Sequence, residues 1–142
     1  MKRAVLLHGT DGSTNDLWWP WVKAKLNNLG YEYFAPSLPE NHTPNRVKYA
    51  NYLKTVDWDY KDNVLIGHSS GATTILNLLC EDWFPTVKTV VLFGAFLNEN
   101  LVRSAEWYEP GQFDNLFLPE YSANKIAHKA SSFYFLHGDN DP

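Results

Sequence analysis

Val64-Leu65-Ile66-Gly67-His68-Ser69-Ser70-Gly71-Ala72 joins a short apolar run to the helix-like run Ala72 to Leu79 through a turn of small residues. Three β-branched or branched apolar residues predict a buried strand, and the following run predicts a helix from about Gly71 to Glu81. Between them, Gly67-His68-Ser69-Ser70-Gly71 fits Gly-x-Ser-x-Gly, a pattern in which a serine on a sharp strand-to-helix bend lifts its hydroxyl above a sheet. Glycines on either side let backbone and neighbouring elements crowd where a Cβ would clash. The pattern alone recurs by chance in small-residue loops. Its strand-before, helix-after setting singles out Ser69 as a nucleophile, and the Ser70 backbone N–H as a donor to a developing oxyanion.

Outward from this turn, apolar runs alternate with helix-like segments, as in βαβ units around a parallel sheet. Ala4 to Leu7 predicts a first strand, and a helix is expected from near Asp16, with Trp18, Trp21, Val22, Leu26 and Leu29 as its apolar positions and Gly30 as its stop. Tyr31 to Ala35 predicts a second strand, Asn45 to Leu53 a helix, and Thr89 to Phe93 a fourth strand after Val64-Leu65-Ile66. A short helix near 124–129 leads to a fifth strand, Phe133 to Leu136, while residues 98–121 read as irregular. Right-handed crossovers give an α/β doubly wound, mostly parallel sheet in the order 2-1-3-4-5, forming one domain over residues 1–142. The winding reverses between strands 1 and 3, and ligands bind beyond the strand ends at such a reversal. The two most distinctive loops follow those two strands.

The loop after strand 1 is His8-Gly9-Thr10, from which the Thr10 backbone N–H is expected as the second oxyanion donor. The His8 side chain is read as a structural hydrogen-bonding group. A phosphate loop fails here, because Gly9-Thr10-Asp11-Gly12-Ser13-Thr14 lacks the Gly-Lys-Ser/Thr ending and carries Asp11. After strand 5 comes His137-Gly138-Asp139-Asn140-Asp141-Pro142, where the chain order Ser, Asp, His puts the acid. Asp141 is the first candidate and Asp139 the fallback; an Asp/Asn-rich turn is the plainer alternative.

The base is the missing part. His8, His42, His68, His128 and His137 all precede Asp141, and none is a convincing base. His68 adjoins Ser69 and is expected to pack or cap, His128 and His137 to be structural, and His42 sits in a proline-bounded loop. The chain therefore reads as C-terminally truncated, with a further strand, a histidine loop and a closing helix expected beyond it.

Trp18-Trp19-Pro20-Trp21-Val22-Lys23-Ala24-Lys25-Leu26, Pro36-Ser37-Leu38-Pro39, Ile66 to Ala72 and the Gly-x-x-Asp-Pro ending together carry a family resemblance along nearly the whole chain. The sequence resembles the small cytosolic serine hydrolases of the α/β-hydrolase type that include retinoblastoma-binding protein nine and the YdeN-like proteins. That resemblance implies a minimal, lidless fold with a Ser-Asp-His triad, Ser69 as nucleophile and Asp141 as acid, the histidine having no counterpart here. The reaction expected is acyl transfer from a small ester or amide to water. Among Trp18, Trp19 and Trp21, one is a candidate wall of the acyl pocket, with core packing the favoured reading.

Composition narrows the partners. A net charge of −4 over 142 residues gives no electrostatic reason to bind nucleic acid or anionic lipid. No run approaches the 20 or so residues of a membrane span. A lone cysteine, Cys80, allows no intrachain disulfide, so a cytoplasmic protein is expected. No metal-ligand spacing occurs and no cofactor is implied. The competing expectation is an interaction protein on the same fold that has no turnover.

Overall fold

The structure is a computed structural model and describes residues 1–139. The elements run β1 (Arg3–Leu7), α1 (Trp19–Asn28), β2 (Glu32–Phe34), α2 (Arg46–Thr55), β3 (Val64–His68), α3 (Ser70–Leu79), β4 (Val87–Phe93), a 3₁₀ turn (Glu99–Leu101), α4 (Ala123–His128) and β5 (Ala130–Leu136). All five strands are parallel, in the order β2-β1-β3-β4-β5 anticipated from the sequence. Among the described residues no helix is long and apolar enough to cross a membrane.

The period-two geometry of β1 divides its side chains between two cores. Ala4 and Leu6 face Trp19, Val22 and Leu26 of α1. Val5 and Leu7 face the larger cluster built from α2, α3 and the neighbouring strands, including Tyr49, Leu53, Ile75 and Leu79. Every residue of α3 is buried, so this helix is the axis of the domain rather than an amphipathic cover. The four polar side chains Ser70, Thr73, Thr74 and Asn77 are buried within it, and all four are hydrogen-bonded.

Capping accounts for two boundaries. The Asn45 side chain accepts from the N–H groups of Val47 and Lys48 and starts α2. Gly30, at φ 79°, closes α1 in the left-handed conformation that terminates helices. α1 itself begins at Trp19 rather than Asp16, because residues 10–18 are spent on turns, with Pro20 in its first turn. Its buried face is Trp19, Val22 and Leu26, which corrects the expected stripe: Trp21 is 64% exposed and Leu29 is exposed too. Lys25 instead lies over the Trp21 ring at 5.6 Å, a surface cation–π contact.

Residues 98–121 are irregular as expected, yet they have a core of their own. Phe96, Val102, Phe113 and Leu116 form a separate buried cluster. Side chains of the main domain pin this segment down. Thr73 Oγ1 donates to the Phe96 carbonyl at 2.7 Å, and Asn77 Nδ2 donates to the Leu116 carbonyl at 2.8 Å. Tyr121 donates to Asn77 Oδ1 at 2.6 Å, and Arg46 donates to the Phe117 carbonyl at 2.7 Å.

Candidate active site

Ser69 occupies φ 54°, ψ −123°, a region that a residue with a side chain seldom adopts, between the end of β3 and the first residue of α3. The bend is held from both sides. The Ser69 N–H donates to the Phe93 carbonyl of β4 at 2.8 Å, and the Ser69 carbonyl accepts from the Thr73 N–H at 3.1 Å.

The glycines explain why this bend is possible. A Cβ on Gly67 would lie 2.8 Å from both the N and the Cα of Ala72. A Cβ on Gly71 would lie 2.2 Å from the Leu7 carbonyl oxygen and 2.4 Å from that of His8. These are backbone atoms, so neither clash is relieved by rotating a side chain. Gly9 is the third close approach, since a Cβ there would sit 3.1 Å from the Ser69 Cβ. The loop after β1 thus packs directly against the turn after β3, at the winding reversal of the sheet.

A side-chain bond locks the two loops: Thr10 Oγ1 donates to the Ser70 hydroxyl at 2.8 Å. The buried His8 ring sits beneath. Its Nε2 accepts from the Leu38 N–H at 3.0 Å, and its Nδ1 is 2.8 Å from the Gly9 carbonyl, which fixes the proton on Nδ1. Burial holds this imidazole below its ordinary pKa, against the opposing pull of the Gly9 carbonyl and Asp16. His8 is a neutral brace of the loop, as its sequence context suggested.

Ser69 and Thr10 open onto a cleft of about 700 Å³. Asp11 and His68 also line it, as do His137 and Gly138 just past the end of β5. Its apolar side consists of Ala95, Phe96, Leu101, Val102 and Trp107, all from the segment after β4. Sequence reasoning placed Ser69, Ser70, Thr10, Gly9, Gly67 and Gly71 together, and they are together. It did not foresee His137 or the 95–107 side chains in the same cleft. Of the three clustered tryptophans none lines it: Trp19 is core, Trp21 faces solvent, and Trp18 packs edge-on against His68 at 5.6 Å. The fallback acid Asp139 is exposed in the turn after β5. Asp141, the preferred acid, lies outside the described residues.

Next to the cleft-lining Asp11, His42 bridges two carboxylates. Its Nδ1 lies 2.9 and 3.0 Å from the Asp11 oxygens, and its Nε2 lies 3.1 Å from Glu109 Oε2. These hydrogen bonds, with Asp11 the stronger influence, raise the His42 pKa above its ordinary value. Gln112 adds a bond to the His42 carbonyl at 2.9 Å. Three loops meet at this one exposed histidine. No sequence signal marked it, because its partners are 31 and 67 residues away.

The arrangement of the strands has counterparts among solved structures. The ydeN gene product of B. subtilis superposes with a TM-score of 0.82 at 19% identity, over 99% of this chain and 73% of that one. A methylesterase from Arabidopsis aligns with a TM-score of 0.53 at 15% identity, over 69% of this chain and 45% of that one. A pyrethroid hydrolase from Sphingobium faniae aligns with a TM-score of 0.52 at 22% identity, over 79% of this chain and 48% of that one. The chain thus spans less than half the length of the last two. Residues 4–139 match the family described as the alpha/beta hydrolase family. With that match running over nearly its whole length, the chain belongs to the alpha/beta hydrolase family.

Proposed function

We propose that this protein is a serine hydrolase that cleaves small esters, or amides, through an acyl-Ser69 intermediate. The observation that carries the reading is the backbone of Ser69, held in a costly conformation on a strand-to-helix bend and opening onto a cleft beside Thr10. Strain of this kind is retained where the surroundings over-determine it, and all the surrounding close contacts serve to keep that hydroxyl on the bend.

In this reading Ser69 Oγ attacks the ester carbonyl while its proton passes to a base. The Thr10 and Ser70 backbone N–H groups hold the oxyanion, and collapse of the tetrahedral intermediate expels the alcohol, which takes up the proton. Water, deprotonated by the same base, then attacks the acyl-enzyme and releases the acid. Asp141 is the assigned acid. His8 is committed to Leu38 and Gly9, and His42 to Asp11 and Glu109. The lone Cys80 and the net charge of −4 fit a cytoplasmic enzyme of small molecules rather than a nucleic-acid binder.

Reaction with a fluorophosphonate probe tests the assignment. Covalent labelling of the protein that maps to Ser69 and vanishes in Ser69→Ala is expected. Labelling that persists in Ser69→Ala would refute the nucleophile. A protein that binds esters without labelling would instead be an interaction protein on this fold.

A further inference from the structure

We infer that the cleft selects uncharged esters carrying a bulky apolar group, and that Trp107 and Leu101 are the side chains that make this selection; this rests on reading the cleft as the site of Ser69.

The apolar wall comes from one segment. Trp107 and Leu101 are both half exposed, at 50%, where they line the cleft, although each is a large apolar side chain. Large apolar side chains left half in water within a concavity mark a surface that a ligand covers. They are also held in place beforehand. The Trp107 ring meets Phe113 edge-on at 6.1 Å and 89°, and Phe113 is buried against Phe96 and Leu116. The hydrogen bonds from Thr73 to Phe96 and from Asn77 to Leu116 tie that small core to α3, the helix that begins at Ser70. A wall fixed to the same helix as the nucleophile costs little to order on binding.

Charge narrows the class. The described lining contains neither Lys nor Arg, and its one carboxylate, Asp11, is hydrogen-bonded by His42. Residues 98–121 carry Glu99, Glu106, Glu109, Asp114 and Glu120 against Arg103 alone. A carboxylate or phosphate on the substrate would meet no Lys or Arg in the described lining, only the imidazoles of His68 and His137, beside the acidic 98–121 segment, so anionic esters are disfavoured. At about 700 Å³ the cleft is in the range of drug-sized ligands, and an acetyl group would leave most of it to water.

Calorimetric titration of the Ser69→Ala protein tests this without requiring turnover. 4-Methylumbelliferyl butyrate is expected to bind about tenfold tighter than the hemisuccinate of the same alcohol, and Trp107→Ala to weaken the butyrate by about tenfold. Because Trp107 also touches Phe113, Leu101→Glu provides the second variant: an acidic group at this half-exposed position should weaken the butyrate without lowering the melting temperature. Equal affinity for butyrate and hemisuccinate, unchanged binding in both variants, or no binding of either ester would overturn the inference. Labelling of the wild-type protein separates it from the catalytic reading. If Ser69 labels while the variants leave ester binding unchanged, only the selectivity fails. If Ser69 does not label while Trp107 governs ester binding, only the nucleophile fails.

Discussion

Gly71→Ala is the substitution whose cost the structure dictates most directly. The added Cβ would sit 2.2 Å from the Leu7 oxygen and 2.4 Å from the His8 oxygen, about 1 Å inside normal contact. The Leu7 oxygen ends β1, an interior strand whose last four residues are buried, and the His8 oxygen follows on the next, also buried, residue. Neither can retreat without moving the sheet, so α3 must shift outward. Overpacking of this sort costs roughly 1–3 kcal/mol, and two simultaneous backbone clashes put this case at about 3 kcal/mol. For a domain of this size that lowers the melting temperature by about 10 °C. The same shift would stretch the 2.8 Å bond from Thr10 to Ser70 and pull the two loops of the site apart. Gly30→Ala is the control: no atom lies within 4 Å of its Cβ position, so only the φ of 79° matters, at about 1 kcal/mol. Circular-dichroism melting of the two variants reads the difference. A Gly71→Ala protein as stable as Gly30→Ala would refute the claim that α3 is seated hard against β1.

Three further outcomes follow from single side chains. His42 donates to both Asp11 and Glu109 only as an imidazolium, and its pKa is raised in the folded state. Its hold on the 98–121 segment is therefore complete below about pH 6.5 and is lost as pH rises through the folded pKa. Protection of the 98–121 amides, taken against the intrinsic exchange rate at each pH, should fall over that rise in the wild type, and show no such step in His42→Gln. Ser69→Gly should abolish labelling while stabilising the fold by about 1 kcal/mol, because glycine adopts a positive φ without strain; a melting temperature below that of Ser69→Ala would contradict the strain argument. Tyr49 buries a hydroxyl with no hydrogen-bond partner among the described residues, so Tyr49→Phe should leave stability unchanged or raise it by about 1 kcal/mol, and a clear loss would mean a missed partner.

The parallel sheet and its strand order were legible because strand and helix periodicities alternate cleanly from Ala4 to Phe93 and resume after residue 122, and crossover handedness leaves few topologies. The turn at Ser69 was legible because its geometry demands particular residues at Gly67 and Gly71. The cleft's apolar wall was not. Residues 98–121 are irregular in sequence, and what orders them is a set of side-chain bonds from Thr73, Asn77, Arg46 and Gln112 to backbone carbonyls far along the chain. Such contacts leave no periodic trace. The α1 stripe was misread at Trp21 for a related reason: three tryptophans in four positions satisfy helical spacing in more than one way, and only the packing of Ala4 and Leu6 decides that Trp19 is the buried one.

A crystal structure of the protein after reaction with a fluorophosphonate would examine Ser69 at atomic detail. The phosphorus should be bonded to the position 69 oxygen, with its phosphoryl oxygen about 3 Å from the backbone nitrogens of both Thr10 and Ser70. An adduct on a different residue, or a phosphoryl oxygen pointing away from those two amides, would contradict the account.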